Sequence, residues 1–194
     1  MRSGMPSPLL KRIRPDELPE KLSASWRASM RLRGDAIFFE VLGNNPELFH
    51  WYVQRFYGEL FDSGSVDRHY KELLRLRLSS LHGCRFCNQG NRADALAAGI
   101  PEAKVEAIGH YEKGPFSEAE KSVLQLADRI ALTCPDGALD TTLYVALGEH
   151  FNDGQILELG MLAGMLSGVA KFLFAFDLVE KEASCPFVST HHDT

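Results

Sequence analysis

The chain has 194 residues, 45% of them hydrophobic, and a formal net charge of −5. That size is enough to bury one good core and predicts a single domain over residues 1–194, with its core at about 46–179. The acidic balance excludes nucleic acid as a partner, because phosphate binding needs a basic patch and the run Lys11-Arg12-Ile13-Arg14 reads as a solvated arm.

Apolar residues recur at helical spacing almost throughout and no period-two strand stands out, so the expected class is all-α with seven to nine helices. An N-terminal arm, 1–15, is expected to be flexible, followed by a helix from Pro15 to Arg33 and a short one from Asp35 to Leu42. Gly43-Asn44-Asn45-Pro46 is a strong stop. Glu47 to Phe61 is aromatic-rich, and Val66 to His82 is a Leu-rich helix. Cys84 to Ala98 follows, ending at Gly99. A turn from Glu102 to Tyr111 precedes Ser117-Glu118-Ala119-Glu120, which has the form of a capping box and starts a helix to about Thr133. Helices over Thr141 to Phe151 and Gly154 to Glu182 complete the set, and the tail 183–194 is expected to be loose.

Met1 to Pro15 has no apolar secretion core, and the longest apolar stretch, Ile156 to Val179, carries Glu158, Lys171 and Asp177. The expectation is therefore a cytoplasmic protein with no membrane span. Four cysteines in such a chain do not make a disulfide scaffold, so chemistry is the better reason for the pair Cys84 and Cys87. The pair sits at a helix start, where unpaired N–H groups and the helix dipole favour the reactive thiolate. Structural zinc needs about four ligands, and there is no second CxxC or nearby His-x-x-x-His, so neither metal nor other cofactor is expected. Two inert core cysteines remain the bland alternative to a redox pair.

On a wheel of the preceding helix, turning about 100° per residue, Leu73, Leu74, Leu76, Leu78 and Leu81 form one apolar arc. Glu72 falls at its edge and Arg77 near its middle, so both charges face inward and need partners. Glu158 is the expected partner of Arg77. Glu72 runs toward the cysteines and is the better functional candidate. His82 lies on the polar side of the wheel and reads as a surface helix end, and His69 is similarly weak. His191-His192-Asp193 reads as a frayed tail, and Cys134 and Cys185 as isolated thiols. Gly160, Gly164 and Gly168 form a small-residue ridge on a helix expected to be buried on all sides, which implies core or subunit packing.

The stretch from Glu72 through Arg77, Ser79 and Gly83 to Cys84-Arg85-Phe86-Cys87 resembles the core motif of the carboxymuconolactone decarboxylase and alkylhydroperoxidase D (AhpD)-like family. Asn45-Pro46-Glu47-Leu48, the capping box at Ser117 and the Ile156-Leu157-Glu158-Leu159 helix agree with it. The resemblance implies an AhpD-like helical domain assembling as a homo-oligomer, whether dimer, trimer or hexamer. It implies that Cys87 attacks a hydroperoxide, that Cys84 resolves it as a disulfide, and that Glu72 serves a proton relay. A dithiol or lipoyl-type partner protein would return the electrons. Where the family has a relay His, this chain has Asn91, which hydrogen-bonds but carries no proton at neutral pH. The expected function is a thiol-dependent peroxidase or disulfide reductase. A redox-sensing or binding module is the alternative, and a decarboxylase-type lyase is disfavoured by the CxxC.

Overall fold

In a computed structural model, residues 5–187 are described, and among them the regular structure is entirely helical. The helices are α1 (Glu20–Arg33), α2 (Ile37–Leu42), α3 (Pro46–Trp51), α4 (Arg68–His82), α5 (Arg85–Ala97), α6 (Glu102–Ala107), α7 (Glu118–Ile130), α8 (Thr141–Gly148) and α9 (Asp153–Ala175). Short 3-10 turns occupy Pro15–Glu17 and Ile108–Lys113, and a π-helical stretch, Tyr52–Phe61, continues α3.

Local chemistry explains most boundaries. The helix expected from Pro15 breaks at Leu18, because the residue before Pro19 is driven into an extended conformation, here φ −72° and ψ 139°. The capping box opens α7 as read: Ser117 accepts from the Glu120 N–H while the Glu120 side chain accepts from the Ser117 N–H. A second such box, Asn152 with Gln155, opens α9 and was not read from the sequence. The helix expected to run to Glu182 stops at Ala175 instead. Asp177 adopts φ +51°, turning the chain back so that Leu178 and Val179 bury completely or nearly so.

Helix α4 is central, packing against α5, α7 and α9. Leu74 and Leu78 join α7, α8 and α9 in one apolar cluster, while Leu73 and Leu76 join Ile100, Val105 and Leu124 in another. A third cluster gathers α1, α2, Cys84, Phe86 and the turn-back after α9. By length and composition α9 is apolar enough to cross a membrane. Its Glu158, however, is ion-paired in the interior, and its inner face is packed against α4 and α7.

Two expectations are corrected. Arg77 does not meet Glu158; its Nε lies 2.6 Å from Asp128 and its NH1 donates to the Ile108 carbonyl at 3.1 Å. Glu158 instead pairs at 2.6 Å with Lys71, a fully buried lysine that also donates to the Leu60 carbonyl. The reason is chain direction: Arg77 and Lys71 lie six residues apart on α4 and point to different neighbours, which a single-helix wheel does not resolve. Helix α9 is not buried all round, since Leu157 is 71% and Met161 55% exposed. A Cβ built on Gly160, Gly164 or Gly168 meets nothing within 4 Å. Both ends make contacts with the body where they are described. The Ile13 N–H donates to the Glu40 carbonyl and Arg12 pairs with Glu40. Phe187 stacks on Phe174. The His191-His192-Asp193 run lies outside the described residues.

Candidate active site

Cys84 and Cys87 are joined in a disulfide at the start of α5. Cys84 is fully buried and is the N-cap, its Sγ accepting the Cys87 N–H at 3.2 Å. Cys87, one turn on, is partly exposed and opens onto a cavity of about 340 Å3. The two sulfurs are therefore chemically unequal: one is enclosed and stabilised by a helix terminus, the other is reachable.

Gly83 makes this turn possible. It caps α4 at φ +62°, and a Cβ there would lie 2.6 Å from the Cys185 Cα. The segment after α9 lies across the cysteine turn: the Glu182 N–H donates to the Gly83 carbonyl and the Phe86 N–H to the Glu180 carbonyl. The Cys185 thiol donates to the His82 carbonyl at 3.0 Å. Cys185 is thus a buried packing thiol, and Cys134 is partly exposed elsewhere. Replacing Gly83 by Ala is expected to cost about 1–3 kcal/mol, from left-handed strain plus displacement of this strap. Thermal unfolding of the oxidised protein checks it.

Glu72 is fully buried and does not line the cavity. It receives the Arg75 NH2 at 2.5 Å and the Arg68 Nε at 3.1 Å, and both arginines do line the cavity. Arg75 also reaches Asp94 at 2.9 Å and lies over the rings of Phe61 and Tyr57. Burial opposes its charge, but Tyr57, Glu72 and Asp94 outweigh that and raise its pKa above the usual range. Asn91 lines the cavity and donates from Nδ2 to the Arg75 carbonyl at 3.3 Å. Of the four sequence-derived candidates, Cys84, Cys87 and Asn91 share the cavity, and Glu72 reaches it through Arg75.

His82 departs from expectation. It is 1% exposed, lines the cavity, and its Nε2 accepts the Leu132 N–H at 3.0 Å; burial alone lowers its pKa to about 4. The wheel misplaced it because the loop after α7, not another helix, covers that side of α4. His69 pairs with Glu120 at 2.6 Å. Sequence reasoning missed Arg75, Asp94, Arg33, Tyr52 and Tyr57. The i,i+3 spacing of Glu72 and Arg75 was a usable signal for the first. The others converge only in three dimensions. In the π-helical stretch, the wider turn places Tyr52, Tyr57 and Phe61 along one wall of the cavity.

Comparison with known proteins follows the same outline. Residues 46–110 match the model of the carboxymuconolactone decarboxylase family. A Bacillus subtilis protein of uncharacterised function, YdfG, is 28% identical over 104 residues, 53% of this chain and 70% of its own length. A peroxidase-related protein from Ralstonia eutropha with an alkylhydroperoxidase AhpD core superposes with a TM-score of 0.70 at 13% identity, covering 92% of this chain and 94% of that one. The debrominase Bmp8, solved with tribromopyrrole, superposes with a TM-score of 0.72 at 17% identity, covering 91% of this chain and 93% of that one. At those identities the structures speak to the fold alone. The chain thus matches the carboxymuconolactone decarboxylase family model over residues 46–110 and shares the helical fold of the AhpD-core structure.

Proposed function

We propose that the chain is a thiol-dependent oxidoreductase that reduces organic hydroperoxides or disulfides through Cys87 and Cys84. The observation that carries this reading is the inequality of the two sulfurs: both border the cavity, but Cys87 is partly exposed there whereas Cys84 is fully buried as the N-cap of α5. In the reduced protein the Cys87 thiolate attacks the terminal peroxide oxygen. The O–O bond breaks, the alkoxide takes up a proton and leaves as the alcohol, and Cys87 becomes a sulfenic acid. Cys84 then attacks the Cys87 sulfur, water departs, and the disulfide forms. A dithiol reductant, such as a lipoyl-type partner, attacks the reachable Cys87 sulfur. Cys84 leaves as a thiolate held by the helix terminus, and the second thiol of the reductant completes the exchange.

Glu72 acts here through Arg75, holding that guanidinium at the cavity wall, where its positive charge favours the Cys87 thiolate and the departing alkoxide; the alkoxide takes its proton from solvent. Asn91 fixes α5 to α4 at the Arg75 carbonyl and transfers no proton. Homo-oligomer formation belongs to the same reading. The outward face of α9, with Leu157, Met161, Gly164 and Gly168, is smooth and apolar, and suits a second copy.

The test is dithiol-dependent reduction of cumene hydroperoxide by the purified protein. Turnover above that of free dithiol is expected, with Glu72→Gln lowering kcat by about 10-fold or more while the protein remains folded. Turnover no faster than the dithiol alone would remove hydroperoxide as substrate, and an unaltered kcat in Glu72→Gln would remove Glu72 from the mechanism.

A further inference from the structure

We infer that the cavity at Cys87 is a binding site for a small aromatic anion, an aryl carboxylate in the simplest case, with Arg33 receiving the negative group. For the chemistry done on such a ligand this rests on the thiol reading above; for binding it stands alone. Arg33 ends α1, lines the cavity with Cys87, and spends only its Nε, which donates to the Phe86 carbonyl at 3.0 Å. Its guanidinium lies over the Phe86 ring, 4.5 Å from the centroid. Gly90 leaves the room this needs, since a Cβ there would sit 1.8 Å from the Arg33 NH2.

Charge around the cavity is uneven. Asp62 and Asp94 are the carboxylates that line it; Asp62 faces Arg68 and Asp94 faces Arg75. Among the described residues Arg33 makes no carboxylate ion pair; burial lowers its pKa, outweighing Asp94 and Asp35, which favour its charge only at longer range. Burying an unpaired charge is costly, and an anionic ligand would remove that cost. A second donor points the same way: Arg75 is 7% exposed, and its Nε is buried with no hydrogen-bond partner.

The rest of the wall selects the remainder of the ligand. Phe38, Phe39, Tyr52, Tyr57, Phe61 and Phe86 surround the space, and aromatic rings pack on one another edge-to-face or offset. A cavity of about 340 Å3 takes one or two fused rings, at the small end of ligand pockets. A planar ring extending the stack of Arg33 on Phe86, with its carboxylate turned to the unspent donors of the fork, satisfies charge and shape together. The α5 N-terminus does not compete for the anion, because the Cys84 sulfur already accepts its Cys87 N–H. Under the thiol reading the substrate would be an aryl carboxylate bearing a hydroperoxide, or a symmetric aryl disulfide. For the disulfide, Cys87 attacks one sulfur and releases one arylthiolate, then Cys84 attacks Cys87 and releases the other. The protein pair is oxidised by the two electrons the substrate gains.

The experiment is calorimetric titration of the oxidised, disulfide-bonded protein with naphthoate and with the uncharged isostere naphthamide. Naphthoate is expected to bind at least about 10-fold tighter. Arg33→Gln should remove that preference while leaving naphthamide binding within about twofold, and Arg33→Lys should restore part of it. Equal binding of acid and amide by the wild-type protein, which needs no variant, overturns the inference, as does a preference that survives in folded Arg33→Gln. Because titration uses no turnover, absence of the anion preference in the wild-type protein beside intact hydroperoxide reduction sinks this inference alone. Intact preference without reduction sinks the thiol reading alone.

Discussion

Cys87→Ser is expected to abolish dithiol-dependent peroxide reduction, whereas Cys84→Ser should keep the first rapid oxidation and slow every later turnover, because external dithiol alone must then resolve Cys87. The difference follows from burial. Both cysteines border the cavity, but Cys87 is partly exposed and is the sulfur a substrate can meet, while Cys84 is fully buried and is placed to act on its neighbour. With Cys84 replaced, the sulfenic acid on Cys87 has no internal resolving thiol, since Cys134 lies elsewhere and Cys185, within the strap, is buried with its thiol on the His82 carbonyl. Mass spectrometry of Cys84→Ser after one equivalent of hydroperoxide should show Cys87 carrying a sulfenic acid, or a mixed disulfide once dithiol is added. Activity in Cys87→Ser equal to wild type would require the enclosed sulfur to be the nucleophile, and that reading of the site would fall. The loss should exceed the Glu72→Gln effect, because removing the reacting atom eliminates a step that a positioned charge only accelerates.

Lys71→Ala is expected to destabilise the protein by about 3–5 kcal/mol, the usual cost of breaking a buried ion pair from one side. Lys71 is fully buried, and its partner Glu158 also accepts from the Ser65 N–H, the Ser65 hydroxyl and the Val66 N–H. Burial works against ionised Glu158, but the bonds from Lys71, Ser65 and Val66 outweigh it and hold its pKa at about 2. Glu120 is held at about 2 in the same way: burial opposes its charge, and Lys104, Ser117 and His69 overcome it. A carboxyl depressed from 4.5 contributes stability that is complete above pH 4.5 and lost as pH falls toward 2. His82 acts in a higher window. With its pKa lowered from 6.5 to about 4, the unfolded chain takes up the proton first, so stability begins to fall below pH 6.5 and this loss is complete near 4. Denaturant melts between pH 7 and 3 should therefore show two descending stages. Glu158→Gln should shrink the lower stage to the part Glu120 contributes and lower the plateau at neutral pH. A single stage confined below pH 4.5 would contradict the buried, uncharged His82.

The double variant Lys71→Met with Glu158→Leu provides an internal control. If the pair is costly to bury but worse to break, the double variant should recover most of the stability that Lys71→Ala loses.

Much of this protein was legible in one dimension. The helical class followed from apolar periodicity, the start of α7 from a reciprocal cap, and the cysteine pair's place at a helix start from Gly83 and the Leu-rich run before it. These features are set within one helical turn or by one residue's allowed conformations, so sequence neighbours suffice. The inward placement of Glu72 and Arg77 was legible too, because it depends only on which side of α4 is apolar. What the sequence could not decide was the identity of partners. Arg77 meeting Asp128, Lys71 meeting Glu158, and His82 buried under the loop after α7 each join residues from separate elements, where the approach of two helices selects the pair. The turn at Asp177 likewise lies within an unbroken apolar pattern, and only the room left between α1, α2 and α5 made burying Leu178 and Val179 there better than another helical turn. Local geometry put the cysteines at the head of a helix; tertiary packing decided that one is enclosed, that the other opens on an aromatic cavity, and that Arg33 and Arg75 stand beside it.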